Sequence, residues 1–327
     1  MADDIFIVIA TFGVVFVITA AMLQGLITTV DLLRAGFKGR RQSQVMVLLA
    51  RFIVVPLVLV GLAAIVQLGP TGSGPTGSGP QVDMAVCVIV LTAGPPFIPA
   101  IAKLAHGDLP YATSSALMLT VLTWILLPFT LPAALNFLGT GAAVSSSLVA
   151  EPLIAFYAIP LVAGLLIRAR YPNLAMEIIP HLKTIAIAAL LLSVTLYIAA
   201  SWSEFTSLFL TGALGFALAI PLISLLIGFV LSPPYARRTP AENPHRSSKI
   251  TSIISTSLQN IGACLVCAFF VLASYPLAGV AILIFALGSI VVTALVMAES
   301  GKRYERAMAA ATPAQTNPAA AGGKSSS

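Results

Sequence analysis

An all-α polytopic membrane protein with nine spanning helices is the fold class that this sequence predicts. Three observations carry it. Hydrophobic residues make up 58% of the 327 positions and charged residues only 9%, with a mean hydropathy of +1.01. No soluble domain of that length hides so much apolar surface. Nine apolar runs are long enough, or nearly so, to cross a hydrocarbon core of about 30 Å. Finally, the basic residues alternate strictly between loops.

The runs lie at about 5–27, 45–67, 83–105, 112–137, 150–168, 184–202, 206–232, 250–273 and 277–298, forming one transmembrane domain over 1–298. The first follows Met1-Ala2-Asp3-Asp4, acidic where a secretory signal is basic, and reads as a retained span. Residues 299–327, ending in "AAATPAQTNPAAAGGKSSS", have the composition of a disordered tail. "GPTGSGPTGSGP", between the second and third spans, is an uncharged flexible connector.

Net charge of +6 would suggest nucleic acid in a soluble chain; here its distribution points to the lipid bilayer instead. Arg34, Lys38, Arg40, Arg41, Lys103, Arg168, Arg170, Lys183, Arg237, Arg238, Arg246, Lys249 and the basic residues of the tail all fall on one side of a nine-span topology. The positive-inside rule then sets the N-terminus outside and the C-terminus in the cytoplasm. Compact loops suit a bacterial inner membrane. The basic loop "SPPYARRTPAENPHRSSK" reads as a solvated cytoplasmic segment, and oligomeric state is not legible.

Two spans are interrupted. The third carries "AGPPFIPA", in which Pro95, Pro96 and Pro99 remove backbone donors at mid-depth. The eighth carries "STSLQNIGA" at similar depth. Irregular backbone is tolerated there only against protein or a watery cavity. The two spans run in opposite directions, the pattern of an inverted-repeat transporter whose substrate site lies where the broken helices meet. Each interruption alone also fits a packed kink, and membrane amides such as Gln259 and Asn260 also serve as interhelical links.

These motifs resemble the bile acid:sodium symporter family, over roughly Met22 to Ala294. "AAMLQGLITTVDLLRAGFKG", "LLARFIVVPLV", "GPPFIPAIAKLAHGD" and "SLQNIGACLVCA" resemble its successive signatures in order. The resemblance implies a nine-helix member with a panel domain and a core domain built on two crossed broken helices. It also implies sodium coupling, yet the residues matching the family's sodium ligands depart from its pattern. Its Ser-Asn becomes Ile98-Pro99, its crossover Glu becomes Ser255, and the Gln of its Gln-Phe motif becomes Arg51. Two of these changes shift local charge by two units toward positive, and two like charges about 4 Å apart repel by roughly 4 kcal/mol at an effective dielectric of 20. Sodium sites are therefore expected to be weakened or absent.

The expected function is secondary transport of a small organic anion, with Arg51 binding the anion or standing as a tethered cation, its donors met by Ser255, Gln259 and exposed carbonyls. Snorkelling of Arg51 to the interface is the bland alternative. Thr92, Thr256 and Asn260 complete the expected site. His106, beside Asp108 at a solvated helix end, is a candidate for proton coupling. A transporter-like sensor that binds without flux is the alternative function. Cys264 and Cys267 read as small core residues, and neither a zinc motif nor a nucleophile with a membrane base points to an enzyme.

Overall fold

The computed structural model describes residues 2–38, 40–66, 78–210, 213–232 and 244–311. Most of the connector at 69–78, much of the basic loop before Pro244, and residues 312–327 lie outside them. Every regular element among the described residues is helical: α1 (Ala2–Ile27), α2 (Val30–Phe37), α3 (Arg41–Leu49), α4 (Val55–Val66), α5 (Ser78–Leu91), α6 (Ile98–Leu104), α7 (Leu109–Phe137), α8 (Ser146–Leu153), α9 (Ile159–Arg170), α10 (Pro172–Ala200), α11 (Trp202–Leu210), α12 (Leu214–Leu231), α13 (Pro244–Ser257), α14 (Ile261–Val266) and α15 (Pro276–Ala311).

Eight stretches among them are long and apolar enough to span a membrane. The expected third span is not one of these, because it is split into α5 and α6 by the prolines that flagged it. The expected sixth span begins at Pro172, well before 184, and the seventh is preceded by a separate helix, α11. Helix α2 lies in the loop after the first span, started by the Thr29 hydroxyl, which accepts from Leu32 N at 3.2 Å.

The segment expected as a tail is helical as far as Ala311. "ESGKRYERAMAAA" is rich in good helix formers. Glu299 pairs with Arg303 at 2.9 Å one turn on, and Tyr304 packs beneath the Arg246 guanidinium at 3.9 Å.

Among the described residues a π-helical turn at Cys267–Val271 ends the eighth span, and two other spans widen internally into single π-helical turns, at Ala50–Val54 joining α3 to α4 and at Ile154–Ala158 joining α8 to α9. Each of these two stands just before a proline, Pro56 or Pro160. The ring lacks an N–H and crowds the carbonyl four residues back, so an extra residue is taken into the turn. Val55 N accordingly reaches Ala50 O, and Ile159 N reaches Ile154 O. Arg51 lies in the first such turn and Tyr157 in the second.

Helices α1, α9 and α10 pack on one another. A Cβ on Gly25 would lie 2.7 Å from Leu165 N, and one on Gly164 would lie 3.2 Å from Gly25 Cα, so α1 and α9 cross backbone to backbone on small residues. Helices α4, α5, α7, α12, α13 and α15 pack around the two breaks.

Contacts at the helix ends fix directions. Arg246, starting α13, donates to Ala105 O just after α6, while Gln81 near the start of α5 accepts from Leu277 N, past the end of the eighth span, at 3.1 Å. The two broken helices therefore run antiparallel. The end holding Arg40, Ala105, Arg246 and Ser300 is one end of the bundle, tied together by the Arg40–Asp108 ion pair and the Arg246 bonds.

Candidate functional site

The first break runs from Thr92 to Phe97, between α5 and α6; the second is Leu258–Asn260, between α13 and α14. Gly94 has φ of +81°, and a Cβ there would run into the backbone of Thr120 and Ala116, so only glycine fits this turn. Asn260 starts α14, its Oδ1 accepting from Ala263 N at 3.2 Å.

A closed ring of hydrogen bonds surrounds the meeting point. Asn260 Nδ2 donates to Gly94 O at 3.4 Å and to Tyr157 Oη at 3.0 Å. The Tyr157 hydroxyl donates to Gln24 Oε1 at 3.3 Å, Gln24 Nε2 donates to Thr120 Oγ1 at 3.1 Å, and the Thr120 hydroxyl donates back to Gly94 O. Every proton has one direction that satisfies the cycle. Gln24 and Tyr157 come from α1 and the turn before α9, in the three-helix layer; Thr120 and both breaks come from the helices around them. Thr123 secures the first break from the other side, accepting from Ala93 N at 3.0 Å.

Arg51 is 1% exposed, which excludes snorkelling. Its Nη2 donates to Ile89 O at 3.1 Å and to Thr92 O, the carbonyls that α5 leaves without helical partners where it breaks off. A cation at a helix C-terminus meets the negative end of the helix dipole. Arg51 Nε and Nη1 have no hydrogen-bond partner among the described residues. Thr92 joins the two breaks as well, its Oγ1 lying 3.1 Å from Cys264 Sγ on α14.

Ser255 and Gln259 do not satisfy Arg51. Both are buried, and among the described residues neither the Ser255 hydroxyl nor either polar atom of the Gln259 amide has a partner. The expectation that they would donate or accept there is corrected: the carbonyls of α5 hold the guanidinium, because the π turn aims Arg51 at that helix end. Thr256 bonds its own helix, donating to Ser252 O at 2.9 Å. Pro95 and Pro96 sit inside the first break, and Pro99 at the first turn of α6, where a missing N–H costs nothing.

His106 stands apart from the breaks, at the basic end, with φ of +54° and its Nε2 2.9 Å from Glu305 Oε1. Asp108 is not a solvated helix end. Its side chain is 7% exposed, pairs with Arg40 and caps α7 through Tyr111 N at 3.0 Å.

Gln24 and Tyr157 are not marked by the sequence, and Thr120 lies on the helix where the family resemblance places further sodium oxygens without being part of the expected site. The signals of the first two are faint: one amide near the end of an apolar span, and a tyrosine three residues before a proline. A second buried network links Gln44 Nε2 to Ser114 Oγ at 2.9 Å and Tyr111 to Ser252 at 2.9 Å.

No curated protein matches the chain at a significant level. A model of the sodium bile acid symporter family matches residues 11–208, from α1 through the first break and into α11. The second break lies beyond that match, but it meets the first at Asn260 and Gly94. Because the match covers more than half of the chain, the protein belongs to the sodium bile acid symporter family and is a membrane transporter of that type.

Proposed function

We propose that the protein is a secondary transporter of a small organic anion in which Arg51 serves as a tethered cation where relatives hold sodium, so that sodium coupling is weak or absent. One observation carries the reading: a fully buried guanidinium bonded to the carbonyls ending α5, with no ion pair to a carboxylate among the described residues. Half-helix C-termini and unwound carbonyls are where transporters of broken-helix design hold their cations. A residue that cannot deprotonate supplies the same charge permanently. The unpartnered Arg51 Nε and Nη1, the Gln259 amide and the Ser255 hydroxyl supply donors suited to an anion.

In this reading the three-helix layer moves against the rest of the bundle, with the N-terminus outside and the C-terminus in the cytoplasm of a bacterial cell. Two bonds of the ring cross between those groups, Gln24 to Thr120 and Asn260 to Tyr157. At about 0.5–1.5 kcal/mol net each, breaking both costs about 1–3 kcal/mol, within what preferential substrate binding to one state offsets.

The test is flux of radiolabelled organic anions into proteoliposomes with sodium or with choline as the only external cation. Flux equal in both within about twofold, and lost in Arg51→Gln and Arg51→Ala, supports the reading. Strong dependence on sodium in the unaltered protein, or unchanged flux and affinity in both variants, refutes it. Saturable binding without flux points to the sensor alternative.

A further inference from the structure

At the basic end of the bundle a cleft of about 420 Å3 opens between α12, α13 and α15. Its mouth carries Arg246 and Lys249, one turn apart on α13. Below them the walls are apolar, with Leu226 and Phe229 from α12, Ile253 from α13 and Val296 from α15. Leu226, Phe229 and Val296 are 61%, 55% and 42% exposed, so the walls continue into the apolar outer surface of the bundle rather than closing over. None of this belongs to the meeting point of the breaks.

We propose that this cleft is a binding site for an anionic phospholipid. Its chemistry is amphipathic in the order a lipid needs. Two cations at headgroup level suit a phosphodiester, and from Arg246 down to Ile253 the helix descends about 10 Å at 1.5 Å per residue, enough for the first part of an acyl chain. The cations are held at the mouth by aromatic rings: Lys249 Nζ lies 4.0 Å from the centre of Phe229, and Arg246 lies 3.9 Å from that of Tyr304. Arg246 also donates to Ala105 O at 3.4 Å and Ser300 O at 3.3 Å, which fixes its height relative to α6 and α15.

Charge argues against a second copy of the chain as the occupant. A two-fold contact on this face would bring four cations together. Apolar walls open to the side argue against a soluble anion, which gains nothing from Leu226 or Val296.

The test is native mass spectrometry and thermal melting of the full chain in detergent, titrated with dioleoyl phosphatidylglycerol, dioleoyl phosphatidylcholine, glycerol phosphate or inorganic phosphate. Phosphatidylglycerol is expected to be retained and to raise the melting temperature well above the effect of phosphatidylcholine. Lys249→Gln, which leaves the Arg246 bonds intact, is expected to weaken retention about fivefold. Val296→Trp, which fills the apolar wall, is expected to abolish it, while both variants melt near the unaltered protein without lipid.

Equal retention of the two lipids overturns the proposal. So does a full shift from glycerol phosphate or inorganic phosphate, or phosphatidylglycerol binding insensitive to both variants. A dimer that Val296→Trp dissociates would assign the face to a second copy instead. None of these outcomes bears on Arg51, so this inference fails or stands separately from the proposed transport mechanism.

Discussion

The Asn260 amide donates to the Tyr157 hydroxyl at 3.0 Å, joining the second helix break to a π-helical turn in the three-helix layer. Tyr157→Phe removes both the acceptor for Asn260 and the donor to Gln24. It is expected to lower stability by about 1–2 kcal/mol. A cycle with Asn260→Ala, measured by unfolding in detergent, should give a coupling of about 0.5–1.5 kcal/mol. Additive losses would mean that the bond contributes nothing.

Gly94→Ala is expected to be among the most damaging single changes, costing at least about 2 kcal/mol, because it combines a positive φ with a collision against the backbone of α7. Gly61→Ala is the control. Among the described residues nothing lies within 4 Å of a Cβ there, and alanine in a helix is expected to be neutral or slightly stabilising. Yield and melting temperature of the two purified variants make the comparison, and equal behaviour would contradict the packing of the first break against α7.

Restoring the family's residues should restore sodium. In Arg51→Gln with Ser255→Glu the fixed cation is gone and a carboxylate stands in the last turn of α13, just before the second break, so sodium at ten times its dissociation constant is expected to add about 1.4 kcal/mol of stability. Melting in sodium against choline reads it out. No difference between the salts would show that Arg51 and Ser255 do not occupy a former cation site.

Asp108 has two separable roles. Asp108→Asn keeps a good helix cap for α7 but loses the ion pair to Arg40, whereas Asp108→Ala loses both. Alanine is expected to cost about 1 kcal/mol more than asparagine in detergent unfolding. Identical losses would leave the cap without a measurable part in stability.

Much of the architecture was legible because its causes are local. Hydropathy over some twenty residues marks a span wherever the span ends up, and a proline removes its own N–H in any context. The interruption at Pro95, Pro96 and Pro99 and the polar stretch around Gln259 were visible for that reason. Helix ends were less so: the Ala, Glu, Lys and Arg residues after Met297 have helical propensity whether or not the chain is in lipid, and hydropathy does not register it.

Sequence by itself determined that the chain is a bundle of apolar helices, that two of them are interrupted by prolines or polar groups, and that Arg51 puts a permanent charge inside an apolar run. Tertiary structure decided what that charge bonds to. The guanidinium goes to Ile89 and Thr92 carbonyls, not to Ser255 or Gln259, and Gln24, Thr120 and Tyr157 close a ring around Gly94 and Asn260. Hydrophobic burial is set by composition along one segment, but a hydrogen bond needs two groups about 3 Å apart at a fixed angle. Partners 133 residues apart, such as Gln24 and Tyr157, meet only after the helices have packed.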